Sequence, residues 1–158
     1  MASNVDQAVG RVIGSLCVVS AMNGDVESAM VASWVSQASF VPPGITLAVA
    51  KDRAVESLTL PGSKFILNVL GDGKSSAIMK QLLKPFKPGE PRFEGLKTKQ
   101  ASSGGRIVLD AISWMECTAK SHMESGDHWV LYATVEDGQL QDDKTLTALH
   151  YRKTGTRY

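Results

Sequence analysis

Apolar residues along this chain fall in short runs rich in β-branched side chains, with turn-forming residues between the runs. Runs of this length and composition predict β-strands rather than helices. The run 45–50 has no polar break, which predicts a strand buried on both faces. The predicted strands span residues 12–21, 29–40, 45–50, 64–70, 112–123, 128–135 and 146–152.

Turn signals and helical spacing complete this pattern. The Asn-Gly-Asp turn at 23–25 predicts a hairpin between the first two strands, and the turn at 124–127 predicts a second hairpin. Apolar spacing favours short helices over 53–60 and 75–83, while the Pro, Gly and Lys content of 85–91 predicts an exposed loop. Seven strands with only a few short helices predict a mainly β fold, an antiparallel barrel that forms a single domain over 1–158.

Composition narrows the possible functions. The chain has 158 residues and a net charge of +1, so no strong field attracts nucleic acid or an anionic membrane. No apolar run approaches the roughly 20 residues that span a bilayer, and the first residues lack the pattern of a signal peptide. Cys17 and Cys117 lie in apolar runs and are predicted to be buried thiols in a reducing compartment. The expected location is the cytoplasm.

Several common motifs are incomplete. The segment 68–75 ends in Gly-Lys-Ser like a phosphate-binding P-loop, but Asn68 stands where that loop requires glycine. No Gly-x-Gly-x-x-Gly or Gly-x-Ser-x-Gly sequence is present, which argues against a Rossmann cofactor site and a nucleophile elbow. The histidines lack the spacing of a metal site; they are His122, His128 and His150.

The segment 32–53 is the most informative part of the chain. Hydroxyl side chains follow one strand end, a double proline turns the chain, and Lys51 and Arg53 close the next strand. Hydroxyls, backbone amides and cations at strand ends can bind a phosphate without a glycine loop. The same residues also suit an ordinary half-exposed strand with a charged end. From the residues alone, both interpretations stay open.

Four segments together resemble the flavin reductase-like family, which has the FMN-binding split-barrel fold. The segment 32–53 resembles the family's flavin-site segment, and 64–70 resembles its Phe-x-x-Asn-x-Leu strand. The turn 126–128 resembles its Gly-Asp-His turn, and 149–153 resembles its last barrel strand. The resemblance spans residues 12–153, nearly the whole chain.

The end of the chain, 150–158, resembles the C-terminus of cyanobacterial flavodiiron proteins. Those proteins carry such a module after diiron and flavodoxin-like domains. The resemblance implies that this chain is an excised C-terminal module and that residues 1–3 do not belong to the natural protein.

The resemblance implies an FMN site, with FAD as the less favoured flavin. The phosphate is expected near Ser39, Lys51 and Arg53, because a phosphate dianion takes charge-assisted donors. The ribityl chain and ring edge are expected against the strand that begins at Ser33, and backbone contacts are expected at the end of the next strand. The implied contact residues are Ser33, Trp34, Val35, Gln37, Ser39, Ala50, Lys51, Asp52 and Arg53.

The resemblance also implies a nicotinamide side of the site. His128 is expected near the incoming NAD(P)H, and Asp127 is expected to orient it or to fix the turn; the alternative is that His128 is a solvated turn histidine. A positive group near the ring would favour negative charge there, and Arg152 or Lys153 could supply it; the alternative is that both belong to a charged tail. Asn68 is expected to hold the adjacent strand or to contact the flavin.

Three groups of residues keep alternative interpretations. Trp34 is either a flavin wall or a barrel or interface aromatic, and Trp114 and Trp129 are either interface anchors or core residues. The loop cations are candidates for recognising the 2′-phosphate of NADPH. They are Lys84, Lys87 and Arg92.

The leading functional hypothesis is an NAD(P)H:flavin oxidoreductase module that forms a homodimer. In the full-length protein its electrons would pass to a second flavin and a diiron centre that reduces oxygen to water. One alternative is a flavin-binding electron carrier or interaction module without fast NAD(P)H reactivity. Another is a related barrel that binds a pyridoxine-type or haem-type ligand.

Overall fold

The computed structural model describes residues 1–52, 56–87 and 89–158, and its regular elements are mostly strands. Two short helices lie among them, and a 3₁₀ turn spans Glu56–Thr59. In chain order the elements are α1 Asn4–Val9, β1 Gly14–Ser15, β2 Cys17–Asn23, β3 Val26–Ala32, β4 Val35–Ser39, β5 Gly44–Ala50, β6 Lys64–Val69, α2 Ser76–Leu82, β7 Thr98–Gln100, β8 Arg106–Val108, β9 Ser113–Ser125, β10 His128–Leu140 and β11 Leu149–His150.

The main sheet has the strand order β3-β2-β6-β9-β10-β5-β4, and its neighbouring strands are antiparallel. Its two edges, β3 and β4, are consecutive in sequence and are joined only by Ser33 and Trp34. The sheet must therefore curl until its edges meet at these two residues, which is how a barrel closes. This arrangement agrees with the predicted antiparallel barrel.

The predicted single strand over 29–40 is wrong. It is two strands, β3 and β4, on opposite edges of the sheet. The chain leaves one edge and joins the other at 33–34, and the loose apolar alternation continues across that break. Close backbone packing marks the crossing, because a Cβ on Gly14 would lie 1.6 Å from the Ser33 carbonyl oxygen.

Other elements differ from the prediction mainly in extent. The strand predicted over 146–152 is regular only at β11, which pairs with β1 outside the main sheet. The sequence pattern does not predict α1 or the small β7–β8 pair, although Ser3 and Asp6 form a capping box that begins α1. The helix predicted over 53–60 is a 3₁₀ turn over its second half, and 53–55 lie outside the described residues.

The interior of the barrel is filled by alternate residues of the strands. On β5, Ile45, Leu47 and Val49 are buried in this core, whereas the residues between them are half-buried. The prediction that this strand is buried on both faces is therefore wrong, because its second face borders a cavity. A second cluster packs Ile78 and Leu82 of α2 against the outer side of the sheet.

Asn68 lies fully buried in the middle of β6 and holds neighbouring strands together. Its Nδ2 donates to the Arg106 carbonyl at 3.1 Å, and its Oδ1 accepts from the Val108 amide at 2.8 Å. Of the two predicted roles, the structure therefore supports the holding of an adjacent strand. Both the amide nitrogen and the amide oxygen of Asn68 are therefore used in hydrogen bonds within the fold.

The two cysteines are free thiols in the core, as predicted. Burial raises the pKa of Cys17 to about 12 and is the main reason that the pKa of Cys117 is also about 12. Both thiols therefore stay protonated and unreactive at neutral pH. Within the described parts of the chain, no helix has the length and apolar character needed to span a bilayer.

Candidate functional site

A cavity of about 580 Å³ opens beside the point where β3 passes into β4. Small side chains of β3 and β5, among them Ala29 and Ala48, leave this space free. Met79 and Leu82 of α2 form an apolar wall, and Lys84 and Arg92 lie among its lining residues. The volume falls in the usual range of about 300–1,000 Å³ for small-molecule sites. We call this space the Trp34 cavity.

Aromatic rings cluster at one side of the Trp34 cavity. The Trp34 ring lies 4.6 Å from the His128 ring and 5.3 Å from the Tyr158 ring, measured between centroids. The Arg152 guanidinium lies 5.1 Å from the centre of the Trp34 ring, in a cation–π contact. Residues from β10 and the end of the chain therefore converge on Trp34.

The two nitrogens of the His128 ring have different partners. Nδ1 lies 2.6 Å from Asp127 Oδ1, and Nε2 is hydrogen-bonded to the Tyr158 hydroxyl. A carboxylate can only accept, so a neutral His128 carries its proton on Nδ1 and accepts the Tyr158 hydroxyl at Nε2. The hydrogen bond to His128 is the main reason that the pKa of Asp127 lies below its ordinary value. The Lys51 amide donates to the Asp127 carbonyl at 3.0 Å, which ties this turn to the end of β5.

Three buried polar atoms near Trp34 have no hydrogen-bond partner among the described residues. They are Trp34 Nε1, His150 Nε2 and Arg152 Nη1. Trp34 and His150 line the cavity, and Arg152 lies over Trp34. Unpaired buried polar atoms cost about 1–3 kcal/mol each, so such a group points to a missing partner. A flavin ring has a polar edge and apolar faces, so a cavity with polar atoms and apolar walls fits it.

The structure brings together part of the predicted site. Ser33, Trp34 and Ala50 line the cavity, and His128 and Arg152 contact Trp34. Val35 and Gln37 instead line a second cavity of about 300 Å³ that also borders Cys17 in the barrel core. We call this the Val35 cavity. The predicted ring-edge residues are therefore divided between two spaces.

The predicted phosphate residues are also separated. Ser39 pairs with Gly44 at the turn between β4 and β5, and its hydroxyl donates to the Pro42 carbonyl at 2.7 Å. Lys51 lies beyond the opposite end of β5, roughly 20 Å away at the usual rise per residue of a strand. Ser39 and Lys51 therefore do not share one site within this chain.

Of the two predicted cations near the end of β5, Lys51 lies within the described residues and is already engaged. Lys51 forms an ion pair with Glu124, and its Nζ lies 4.7 Å from the centre of the Trp129 ring. Asp52 is exposed, and Arg53 lies outside the described residues.

Lys84 and Arg92 line the cavity, and the Arg92 guanidinium lies 4.8 Å from the centre of the Phe86 ring.

The remaining tryptophans have different surroundings. Trp114 is a core residue that packs with Ile66 and Ile107. Trp129 is half-buried and meets His122 edge-on at 5.2 Å. No three His, Cys, Asp or Glu side chains in the ranges that the structure describes are grouped to hold a metal.

The sequence pattern does not predict a role for His150 or Tyr158, although both line the Trp34 cavity. His150 lies within a predicted strand, where alternation alone does not say which face borders a ligand. Tyr158 follows a polar segment with no regular pattern. The only sequence signal for either residue is an aromatic ring close to Arg152, and that signal is weak.

An antiparallel barrel with a cavity beside the junction of β3 and β4 has room for a small ligand, and comparison with known proteins shows its family. The chain belongs to the flavin reductase-like domain family, whose sequence model matches residues 9–157. The family resemblance of the sequence is thereby confirmed.

Relatives show where such a chain occurs. Diflavin flavoprotein A 1 of Synechocystis sp. PCC 6803 is 49% identical over 156 residues, which cover 99% of this chain and 27% of the relative. A diflavin flavoprotein A relative from Nostoc sp. PCC 7120 is 55% identical over 157 residues, which cover 99% of this chain and 28% of the relative. The chain therefore spans just over a quarter of the length of these relatives.

Solved structures confirm the split-barrel fold. The NADH:FAD oxidoreductase of Streptomyces globisporus C-1027 matches with a TM-score of 0.80 and 21% identity over 93% of this chain and 86% of that one. Flavin reductase HpaC complexed with NADP⁺ matches with a TM-score of 0.78 and 18% identity over 92% of this chain and 90% of that one.

Proposed function

We propose that this chain binds FMN in the Trp34 cavity and acts as an NAD(P)H:flavin oxidoreductase. One observation carries the proposal: a cavity of about 580 Å³ with apolar walls is lined by Trp34 and His150, which each have an unpaired buried nitrogen, and Arg152, which has a third, lies over the Trp34 ring. A bound flavin supplies a ring that accepts a hydride from a reduced nicotinamide. The chain itself supplies binding, orientation and charge.

Each residue near the cavity has a role in this proposal. Trp34 and His150 bind the polar edge of the ring, and Arg152 adds positive charge beside it. Ser33 and Ala50 form the adjoining wall with their backbone. The roles of the Trp34, His150 and Arg152 side chains are the part of the proposed site that mutation can test.

The phosphate side and the nicotinamide side are proposed from the resemblance together with the placement of residues. Lys51, Asp52 and Arg53 follow the end of β5, so they remain the candidates for the flavin phosphate, with Asp52 contributing backbone. Lys84 and Arg92 at the cavity are the candidates for the 2′-phosphate of NADPH. His128, oriented by Asp127, is proposed to bind the nicotinamide group.

An anaerobic visible-absorbance titration tests this function. FMN-loaded protein is titrated with NADPH and then with NADH, and FAD-loaded protein is treated in the same way because a structural neighbour is named an NADH:FAD oxidoreductase. Bleaching of the flavin band within seconds supports the reductase, and the nucleotide that bleaches it faster is the preferred hydride donor. Flavin binding without bleaching supports the electron-carrier alternative. Failure to bind any flavin contradicts the whole proposal.

A variant separates the nicotinamide side from flavin binding. His128→Ala removes one hydrogen-bonding group and is expected to lower kcat/KM for the nucleotide by about tenfold, while the FMN Kd changes less than about twofold. Ser36→Ala is the matched control, because Ser36 is exposed and borders the Val35 cavity instead. An unchanged rate in His128→Ala would favour the electron-carrier alternative.

In the longer protein we propose that electrons leave this module for a second flavin and a diiron centre that reduces oxygen to water. The name diflavin flavoprotein and the coverage of just over a quarter of such relatives support a larger electron-transfer chain.

We also propose a homodimer, because Phe40 and Val41 at the β4–β5 turn are 86% and 92% exposed. Buried free cysteines agree with a location in the reducing cytoplasm.

A further inference from the structure

Tyr158 lies against the group that the proposed function assigns to the nicotinamide. Its hydroxyl bonds to His128 Nε2, and its ring meets the His128 ring edge-on with centroids 5.9 Å apart. The same ring lies 5.3 Å from Trp34 and lines the Trp34 cavity. Tyr158 therefore occupies space at the junction of His128, Trp34 and the cavity.

This contact hides His128 although the turn that carries it is exposed. The His128 side chain is only 12% exposed, whereas that of its neighbour Asp127 is 93% exposed. Trp34 covers one side of the imidazole, Asp127 holds Nδ1, and Tyr158 holds Nε2. A ligand cannot bond to His128 Nε2 while the Tyr158 hydroxyl stays there.

The segment before Tyr158 is anchored to α1. The Gly155 amide donates to the Asp6 carbonyl at 2.6 Å, and a Cβ on Gly155 would lie 2.6 Å from Val9 Cγ1. The segment thus packs closely up to Gly155, and Tyr158 lies three residues beyond this anchor with 60% of its surface exposed. The ring can leave His128 without the anchor being released.

A tyrosine ring and a nicotinamide ring present similar chemistry to His128. Each is a single six-membered ring with one polar substituent that can donate a hydrogen bond, a hydroxyl on the aromatic ring of tyrosine and a carboxamide N–H on the dihydropyridine ring of a reduced nicotinamide. Because Asp127 fixes the proton on Nδ1, Nε2 is an acceptor that suits either donor. We propose that Tyr158 occupies the nicotinamide subsite and that NAD(P)H binds by displacing it. This inference rests on the proposed function.

Displacement has a measurable cost. If the Tyr158 ring covers His128 for most of the time, the nucleotide binds only the protein molecules in which His128 is uncovered. Its apparent Kd is then the intrinsic Kd divided by the uncovered fraction. Removing the ring should therefore lower KM for the nucleotide by a larger factor than it changes kcat, measured with each variant saturated with flavin. A purely structural role for Tyr158 would not produce this separation of KM from kcat.

The first test needs neither flavin nor nucleotide. Diethylpyrocarbonate modification of His128 is followed by peptide mass spectrometry in wild type, Tyr158→Ala, Tyr158→Phe and Tyr151→Ala, with exposed His122 as the internal reference. Tyr158→Ala is expected to raise the rate at His128 by about fivefold or more, the equivalent of one lost hydrogen bond. Tyr158→Phe, which keeps the ring but loses the bond, is expected to be intermediate. Tyr151→Ala is the matched control, since Tyr151 is 72% exposed.

The second test measures KM and kcat for NADPH and NADH in the same flavin-loaded variants. A several-fold lower KM in Tyr158→Ala supports the inference, and an unchanged or higher KM overturns it. An unchanged modification rate at His128 in Tyr158→Ala also overturns it. If wild type oxidises neither nucleotide, the proposed function fails and the nicotinamide assignment fails with it, whereas faster modification in Tyr158→Ala still shows that the tyrosine covers His128.

Discussion

Trp34 and Trp114 lie in two regions of the barrel with similar chemistry and different surroundings. Both indole nitrogens are buried without a partner among the described residues, and a cation lies over each ring, Arg152 at 5.1 Å and Lys99 at 5.8 Å. Trp114 packs in the core with Ile66 and is 8% exposed. Trp34 borders a cavity of about 580 Å³.

The difference teaches how an unpaired donor should be interpreted. At Trp114 the burial of a large aromatic surface can offset the cost of the unpaired N–H, so no ligand is needed to explain it. Trp34 instead lines free space together with His150, and Arg152 lies over its ring; each of these two residues also has an unpaired buried nitrogen. An unpaired donor therefore indicates a ligand only where the fold leaves room for one.

The largest expected effect is a loss of unfolding free energy when the hydrogen bonds of Asn68, beside Trp114, are removed. Asn68 is the strand partner of Trp114, and Asn68→Ala leaves the Arg106 carbonyl and the Val108 amide without their side-chain partner. Two buried polar groups at about 1–3 kcal/mol each predict a loss of about 3 kcal/mol in the free energy of unfolding, measured by urea denaturation.

Asn23→Ala is the control for that experiment, because Asn23 is exposed at the end of β2. Its free energy of unfolding should change by less than about 0.5 kcal/mol. A loss in Asn68→Ala below about 1 kcal/mol would show that water or rearranged backbone replaces the asparagine.

A smaller effect separates the two tryptophans directly. Trp34→Phe keeps an aromatic ring but removes the N–H, which is expected to raise the FMN Kd by about tenfold, measured by fluorescence titration. Trp114→Phe makes the same chemical change in the core and should leave the Kd within about twofold. Equal effects of the two substitutions would contradict the assignment of the ligand to the Trp34 cavity.

The smallest effect concerns the two ends of β10. Asp127 precedes the strand and bonds to His128, whereas Asp142 follows it and bonds to Lys74 and Thr145. The hydrogen bond from Lys74 is the main reason that the pKa of Asp142 lies well below its ordinary value of 3.8. Asp142 therefore stabilises the fold above that value, and the contribution is lost as the pH falls through the lowered pKa.

Thermal denaturation across pH measures this contribution. Asp142→Asn is expected to lower Tm at pH 7 by a small amount, and the difference from wild type should shrink as the pH falls below 3.8. A difference that stays constant down to strongly acidic pH would show that packing, rather than charge, is the contribution of Asp142.

The local sequence was sufficient to predict the position of an element where that element had a residue pattern of its own. The two hairpin turns, the strands at 45–50 and 64–70, and the helix near 75–83 are all found close to their predicted positions. It was insufficient at 29–40, because strand alternation continues through Ser33 and Trp34 while the backbone changes from one edge of the sheet to the other. A period-2 pattern records burial, and it does not record which strand is the neighbour.

The candidate site was predicted in the same uneven way. The resemblance led to Trp34, His128 and Arg152, which the structure brings together. It also grouped Ser39 with Lys51, which lie at opposite ends of one hairpin. Sequence spacing counts residues along the chain, whereas a ligand requires atoms that are close in space.

The sequence by itself determined the class of fold and the family, because short β-branched runs, turn residues and ordered motifs are local properties. Only the tertiary structure decided where the cavity lies and which residues meet there. Trp34, His128 and Tyr158 are far apart in the chain, and they meet because the sheet closes at 33–34 and the end of the chain packs on α1. Long-range packing of this kind has no counterpart in local periodicity, so the partner of His128 could be found only in the folded molecule.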